Sequence, residues 1–210
     1  MELKKYGHAC LRLEKDGKVL VIDPGAFSEP EALEGADAVL ITHSHYDHMD
    51  VERLRKCSPD VEIRTCEGAA AELGVLPATV LAVNHGDKFE VAGFSVEAFG
   101  EWHARSHPDL PVIQNIGFMI DSSVFYPGDA FTVPEVDVHT LMVPTGAPWL
   151  RLGDVLEYLR VIRPRRAYST HDGLYNDAGL QLVDNWLKAE ADKQGAEIRR
   201  LAVGETVTLH

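Results

Sequence analysis

The apolar run Ala38-Val39-Leu40-Ile41 leads through Thr42 directly into His43-Ser44-His45-Tyr46-Asp47-His48. The run is typical of a strand buried inside a sheet, because it is short, aliphatic and free of charge. Three histidines and an aspartate therefore emerge where a strand ends. A sheet holds side chains at that position rigidly while leaving them open to solvent, so the segment predicts a functional site.

The density of imidazoles in this segment points to a metal site. Three imidazoles this close together would repel one another when protonated. A divalent metal instead binds the deprotonated imidazoles and the carboxylate and makes their proximity favourable. The competing interpretation is a polar loop whose histidines only form hydrogen bonds. The combination of His and Asp without Cys suits Zn, Fe or Mn, and the residues alone leave the choice of metal open.

Strands alone precede the histidine segment, and strands and helices alternate after it. Apolar runs ended by Gly, Pro or Asp predict strands over 9–13, 19–22, 36–42, 61–65, 79–83, 88–91, 94–99, 116–121, 124–126, 138–143, 166–169, 198–203 and 206–209. Helical spacing of apolar residues predicts helices over 51–56, 67–73, 152–162 and 178–193.

This order of elements predicts an α/β fold of four layers. Two mixed β-sheets would pack against each other, with helices covering their outer faces, an αββα sandwich. No linker rich in Gly, Ser or Pro divides the sequence, and no short repeat appears. We therefore expect residues 1–210 to form a single domain.

The composition limits the possible partners and compartment. The chain has 210 residues, with 20 Lys and Arg against 33 Asp and Glu, a net charge of −13. Nucleic acid and anionic membranes would be repelled, so we expect neither as a partner. Membrane-spanning runs and a signal-peptide core are absent from the sequence, and three unpaired cysteines suit a reducing compartment, so a cytoplasmic location is expected.

The pattern His-x-His-x-Asp-His, filled by His43, His45, Asp47 and His48, resembles the signature of the metallo-β-lactamase superfamily of metal-dependent hydrolases. The resemblance extends along most of the chain, through Gly7-His8-Ala9-Cys10, Leu20-Val21-Ile22-Asp23-Pro24 and Tyr126-Pro127-Gly128-Asp129. It implies the four-layer fold that the element order also predicts.

The resemblance implies further ligands outside the histidine segment. His103, just past the strand predicted at 94–99, matches the next expected histidine, with His107 as its competitor. Asp129 matches a carboxylate that bridges two metals, and His171 matches the last ligand. The implied dinuclear site has two sets of ligands bridged by Asp129: His43, His45 and His103 on one metal, and Asp47, His48 and His171 on the other.

The implied activity is hydrolysis of a small molecule. A pair of divalent ions, Zn by expectation with Mn or Fe as alternatives, would activate a water molecule to cleave an ester, lactone or phosphodiester. Asp47 and Asp129 are the expected catalytic residues, because either carboxylate could orient or carry the proton. The chain looks most similar to small hydrolases allied to the ascorbate-6-phosphate lactonase group. The oligomeric state stays open.

Two other functions remain compatible with the sequence. One is a mononuclear iron oxygenase of the persulfide-dioxygenase type, which would use only the first metal site. The other is a non-enzymatic module in which the metals hold loops together. Three protein ligands per metal leave open coordination positions, which favours catalysis over a purely structural site.

Several residues carry weaker predictions. Asp23 and Asp172 could accept hydrogen bonds from ligating imidazoles. His8 also resembles a family residue, but a buried structural histidine is the favoured interpretation. No chemical role is predicted for three other histidines, His85, His139 and His210, or for Cys10, Cys57 and Cys66. Residues expected to line the mouth of the site are Trp102, Arg105, His107, Trp149 and Tyr175.

Overall fold

A computed structural model describes residues 1–209, which form fourteen strands and four α-helices. The strands are β1 Glu2–Lys5, β2 Leu11–Lys15, β3 Lys18–Ile22, β4 Ala38–Ile41, β5 Glu62–Thr65, β6 Thr79–Ala82, β7 Lys88–Val91, β8 Phe94–Phe99, β9 Gly117–Ile120, β10 Val124–Tyr126, β11 Thr140–Pro144, β12 Arg166–Thr170, β13 Glu197–Arg199 and β14 Thr206–Thr208. The helices are α1 Val51–Leu54, α2 Glu67–Leu73, α3 Leu152–Ile162 and α4 Asp177–Gln194.

The strands form two mixed sheets of seven. The first has the order β14-β1-β2-β3-β4-β5-β6 and the second the order β13-β12-β11-β10-β9-β8-β7. Strands β3 to β6 run parallel, as do β10 to β13. Because parallel neighbours end at the same edge, the loops after β3 and β4 leave the first sheet together, and those after β10, β11 and β12 leave the second together.

The apolar core has two parts. One joins the facing sides of the two sheets, with Leu13 of the first sheet and Phe94 of the second in the same buried cluster. The other packs α3 and α4 against the outer face of the second sheet, through Leu159, Leu187 and Leu141. Helix α2 contacts β6 of the first sheet. The predicted four-layer α/β architecture is confirmed.

Some boundaries differ from the prediction. Strand β1 was not predicted, because its Lys-rich sequence hides the burial of Leu3 and Lys5. Lys5 is fully buried because its ammonium donates to the carbonyls of Tyr6 and His8. The strand predicted at 198–203 ends at Arg199, since the chain turns at Gly204 towards β14. Within residues 1–209, no helix is both long and apolar enough to span a bilayer.

Candidate metal centre

The structure brings all seven predicted ligand residues to one edge of the two sheets. The histidine segment follows β4, and His103, Asp129 and His171 follow β8, β10 and β12. Their ligand atoms form groups whose members lie within 4.8 Å of one another: His43 with His45 and His103, His43 with His48 and Asp129, and Asp47 with His48, His171 and His8.

Asp129 occupies the middle of the centre. Its Oδ2 lies 3.3 Å from Nε2 of His103 and 3.1 Å from Nε2 of His171. Its Oδ1 lies 3.2 Å from Nε2 of His48. One carboxylate therefore contacts histidines of both predicted ligand sets, which is the position that a bridging ligand requires. The indole Nε1 of Trp149 donates to Oδ2 over 2.9 Å.

Two imidazoles are held by a buried network around Asp23. This carboxylate accepts the backbone N–H and the hydroxyl of Thr42, both at 2.7 Å. It also accepts Nδ1–H of His48 at 2.7 Å. Because the Thr42 hydroxyl proton points to Asp23, its oxygen accepts Nδ1–H of His43 at 2.9 Å. Both rings therefore present Nε2 to the centre.

Two further imidazoles are held by backbone carbonyls. Nδ1 of His103 donates to the carbonyl of Ala104, and Nδ1 of His171 donates to that of Gly146. These rings also present Nε2 to the centre, in the tautomer that a metal ligand needs. The predicted partner Asp172 has a different role, because it contacts Ser169 and the buried Lys5 instead of a ligating ring.

The donor set fits a divalent cation. Nε2 of His48, His103 and His171 and Oδ1 of Asp129 are buried, and within residues 1–209 each lacks a hydrogen-bond partner. Buried polar atoms without partners are costly, so four of them within one centre need an explanation. Imidazole nitrogens and carboxylate oxygens are ligands for Zn, Mn and Fe, so bound cations would give these atoms the partners that they lack.

The electrostatics of the centre also favour a bound cation. Burial alone would raise the pKa of Asp129, but His48, His103 and His171 outweigh it and hold that pKa well below its usual range. Burial alone would lower the pKa of His171, but the neighbouring carboxylates of Asp129 and Asp47 raise that pKa to about 9. The two carboxylates therefore stabilise a positive charge beside them, and a bound cation would take the place of the proton on the imidazole of His171.

His8 lies much closer to the centre than a purely structural histidine would need to. Its ring packs 4.0 Å from the ring of His171 and 5.3 Å from that of Phe27, measured between centroids. Its Nε2 lies 3.0 Å from Oδ2 of Asp47. His8 is buried, as the sequence predicts for a structural histidine, but it also contacts Asp47. The sequence signal for this contact is the Gly7-His8 element.

The backbone around the centre is unusual. His8, Asp23 and His171 all have positive φ angles, of 56°, 47° and 56°. Such strain in residues other than glycine is kept where the surroundings enforce it, commonly at functional sites. Gly25 packs so tightly on the histidine segment that a Cβ would lie 1.9 Å from the carbonyl oxygen of Asp47. Only glycine permits that approach.

A cavity of about 270 Å³ opens above the ligands. Of the five residues expected at the mouth, Trp149 lines it, whereas Trp102, Arg105, His107 and Tyr175 lie outside the lining. His107 is exposed on its loop, and the Tyr175 hydroxyl donates to the carbonyl of Thr145. The lining residues that were not expected there are Phe27, Tyr46, Ser106, Pro148 and Leu174.

The remaining histidines lie away from the centre. His85 accepts the backbone N–H of Gly100, and His139 adjoins Thr140 at the start of β11. His210 lies outside the described residues. Burial raises the pKa of Cys10 to about 12, so this thiol is unreactive at neutral pH.

The sequence matches a family model for the beta-lactamase superfamily domain over residues 2–171. The chain belongs to the beta-lactamase superfamily. A relative from Flavobacterium johnsoniae, described as a UPF0173 metal-dependent hydrolase, is 30% identical over 167 residues, which cover 73% of each chain. This superfamily member is therefore an enzyme of the metal-dependent hydrolase class.

Two other similar proteins cover nearly the same length of chain. Protein Rv0786c from Mycobacterium tuberculosis is 38% identical over 183 residues, covering 83% of this chain and 85% of the relative. The solved structure of Igni18, a metallo hydrolase from Ignicoccus hospitalis, superposes with a TM-score of 0.74 at 21% identity, over 100% of this chain and 98% of that one. At that identity the likeness shows a shared fold.

Proposed function

We propose that this beta-lactamase superfamily enzyme uses a dinuclear metal centre to hydrolyse an ester, lactone or phosphodiester of a small molecule. The residues that would hold the two ions are those predicted from the sequence: His43, His45 and His103 for one, Asp47, His48 and His171 for the other, with Asp129 shared between them. The supporting observation is that, within residues 1–209, four buried ligand atoms of this centre have no hydrogen-bond partner.

A bound divalent metal would supply Lewis acidity, which polarises the carbonyl or phosphoryl oxygen of the substrate and makes a nearby water molecule a better nucleophile. The residues of the chain supply orientation and proton handling. Oδ2 of Asp47 lies within 3.3 Å of Nε2 of both His8 and His171. The other oxygen of Asp47, Oδ1, is then the atom that accepts the proton of the attacking water.

Asp129 has a different task in this proposal. Its side chain is nearly buried, and Trp149 holds Oδ2 from the cavity side. Because its Oδ1 faces His48 and its Oδ2 faces His103, Asp129 fixes the spacing between the two ligand sets. Asp47 lines the cavity more openly and is the better placed of the two carboxylates for proton transfer.

The test combines metal content with activity. The protein is purified without added metal, reconstituted with Zn, Mn or Fe, analysed for bound metal, and assayed on chromogenic esters, lactones and phosphodiesters. We expect two ions per chain and metal-dependent hydrolysis. His43→Ala and Asp129→Ala should abolish turnover while leaving the fold intact by circular dichroism, and His139→Ala, remote from the centre, should retain it.

The same measurements separate the alternatives. One iron per chain together with oxygen uptake would replace the hydrolase with a mononuclear iron oxygenase. Two bound ions without hydrolysis of any compound would favour a non-catalytic metal module. Near-normal turnover in Asp129→Ala would show that the ligand assignment is wrong.

A further inference from the structure

Exposed apolar side chains gather around the cavity over the metal centre. Phe27 is 40% exposed, Tyr46 63% and Leu174 53%. Trp149 and Pro148 complete the apolar part of the lining. Clustered exposure of this kind around a concave site is typical of a surface that binds a ligand, because folding otherwise buries such side chains.

These side chains lie at both ends of the metal centre. Phe27 packs against His8 and, with ring centroids 5.2 Å apart, against Tyr46. His8 in turn adjoins His171, in one ligand set. Trp149 packs against His103, in the other set, at 5.9 Å. A molecule held over the ligands would therefore meet apolar walls on both sides.

The lining offers little to an anion. Within residues 1–209, no Lys or Arg side chain lines the cavity. Arg105 is exposed outside it, and Arg53 is occupied by the carbonyls of Gly25 and Ser28. The neutral donors beside the ligands are the hydroxyls of Ser106 and Tyr46. A charged substrate group that extends beyond the metals would lose hydration there without gaining a charged partner.

We propose that the substrate is an uncharged carboxylic ester or lactone bearing an aromatic group, and that esters carrying an anionic group beyond the reacting carbonyl are disfavoured. This inference rests on the hydrolase function proposed above and narrows it. The volume of about 270 Å³ limits the substrate to a small molecule. The aromatic group lies between the Phe27 and Trp149 walls while the carbonyl faces the ligands.

The first test compares substrates that differ only in charge. 4-Nitrophenyl pentanoate is neutral, and mono-4-nitrophenyl succinate carries a carboxylate on an acyl chain of similar length. After correction for reaction in buffer, the neutral ester should have a kcat/KM about tenfold or more above the anionic ester. Equal or faster turnover of an anionic substrate would overturn the inference and leave the hydrolase function intact.

A second test changes the wall. Leu174→Arg places a cation in the exposed lining, where it should raise the anion-to-neutral ratio of kcat/KM by about twofold to fivefold. Leu182→Arg is the matched control, because Leu182 is 54% exposed on α4 and does not line the cavity. An equal ratio in the two variants would contradict the position assigned to the substrate.

A binding measurement separates failure of this inference from failure of the hydrolase function. Two ethers that cannot be hydrolysed, 4-nitrophenyl pentyl ether and 4-(4-nitrophenoxy)butanoate, are titrated into metal-loaded protein while tryptophan fluorescence is followed. Tighter binding of the neutral ether supports the preference of the cavity for neutral molecules, even if no ester is cleaved. Absence of ester cleavage would overturn only the hydrolase function. Equal or tighter binding of the anionic ether overturns the inference.

Discussion

Nε2 of His8 donates a hydrogen bond to Oδ2 of Asp47 over 3.0 Å. The direction of this bond is fixed from the other side of the ring, where the backbone N–H of Gly173 donates to Nδ1 over 3.1 Å. Because Nδ1 accepts, the neutral ring carries its proton on Nε2. A histidine 39 residues away in sequence therefore orients the carboxylate to which we assign proton transfer.

Removing this donor should weaken one metal site. In His8→Ala, Asp47 loses the bond that orients it, and we expect the affinity for the ion held by Asp47, His48 and His171 to fall about tenfold. Chelator competition measures both binding events. His8→Gln can accept from Gly173 and donate to Asp47, so it should recover part of the loss. Unchanged affinity in His8→Ala would mean that the bond is unimportant.

Trp149→Phe should affect both metal sites instead of one. The substitution keeps an aromatic ring beside His103 but removes the indole N–H that holds Asp129. Because Asp129 contacts both ligand sets, we expect both affinities to fall, by about tenfold. Trp186→Phe, on the exposed face of α4, is the control. Loss at a single site would show that Asp129 is not shared.

Much of this centre can be recognised in the sequence because its ligands follow strands. The element order predicts the two sheets, and three histidines within six residues mark where β4 ends. Placing His103, Asp129 and His171 requires a family resemblance. Each is a single polar residue in a loop, and only the tertiary fold brings it to the centre.

The walls of the cavity could not be predicted in the same way. Phe27 and Leu174 lie in loops without periodicity, so their sequence surroundings carry no sign of a shared cavity. Strand β1 escaped notice because Lys5 is buried through backbone carbonyls contributed by its own neighbours. The contacts that form the cavity walls are tertiary, and the burial of a lysine runs against its usual polarity, so neither leaves a recognisable pattern in the sequence.

The junction between the sheets offers a test of stability. The hydroxyl of Tyr126 is buried and donates to the carbonyl of Ala9 over 2.8 Å, linking β10 to the chain before β2. Tyr126→Phe leaves that carbonyl without this donor, and we expect a loss of about 1–3 kcal/mol in the free energy of unfolding. Urea denaturation measures it, with Tyr46→Phe, whose side chain is exposed, as the control. Equal stability of the two variants would contradict the role of the bond.

The ion pair between α3 and α4 should make stability depend on pH. Arg160 donates two hydrogen bonds of 2.9 Å to the carboxylate of Glu190, and these bonds lower the pKa of Glu190. A lowered pKa adds stability above the unfolded value of about 4.3, which is lost as the pH falls through the folded value. Glu190→Gln should therefore lower the thermal midpoint at pH 7, and the difference should shrink as the pH falls from about 4.3 through the lowered folded pKa. A difference that does not change with pH would rule out the charge as its cause.

Metal loading should stabilise the fold, because without metal the centre buries ligand atoms that have no partners. Asp129 and three imidazoles leave four buried ligand atoms without partners, and this cost exists only in the folded chain. An ion that binds the folded state alone, at about 100 times its dissociation constant, adds about 2.7 kcal/mol to the free energy of unfolding. Urea denaturation with and without Zn measures this gain, and EDTA should reverse it. His139→Ala should gain as much as the natural chain, whereas His171→Ala should gain less, because it lacks a ligand of one ion. An equal gain in His171→Ala would place the stabilising ion elsewhere on the protein.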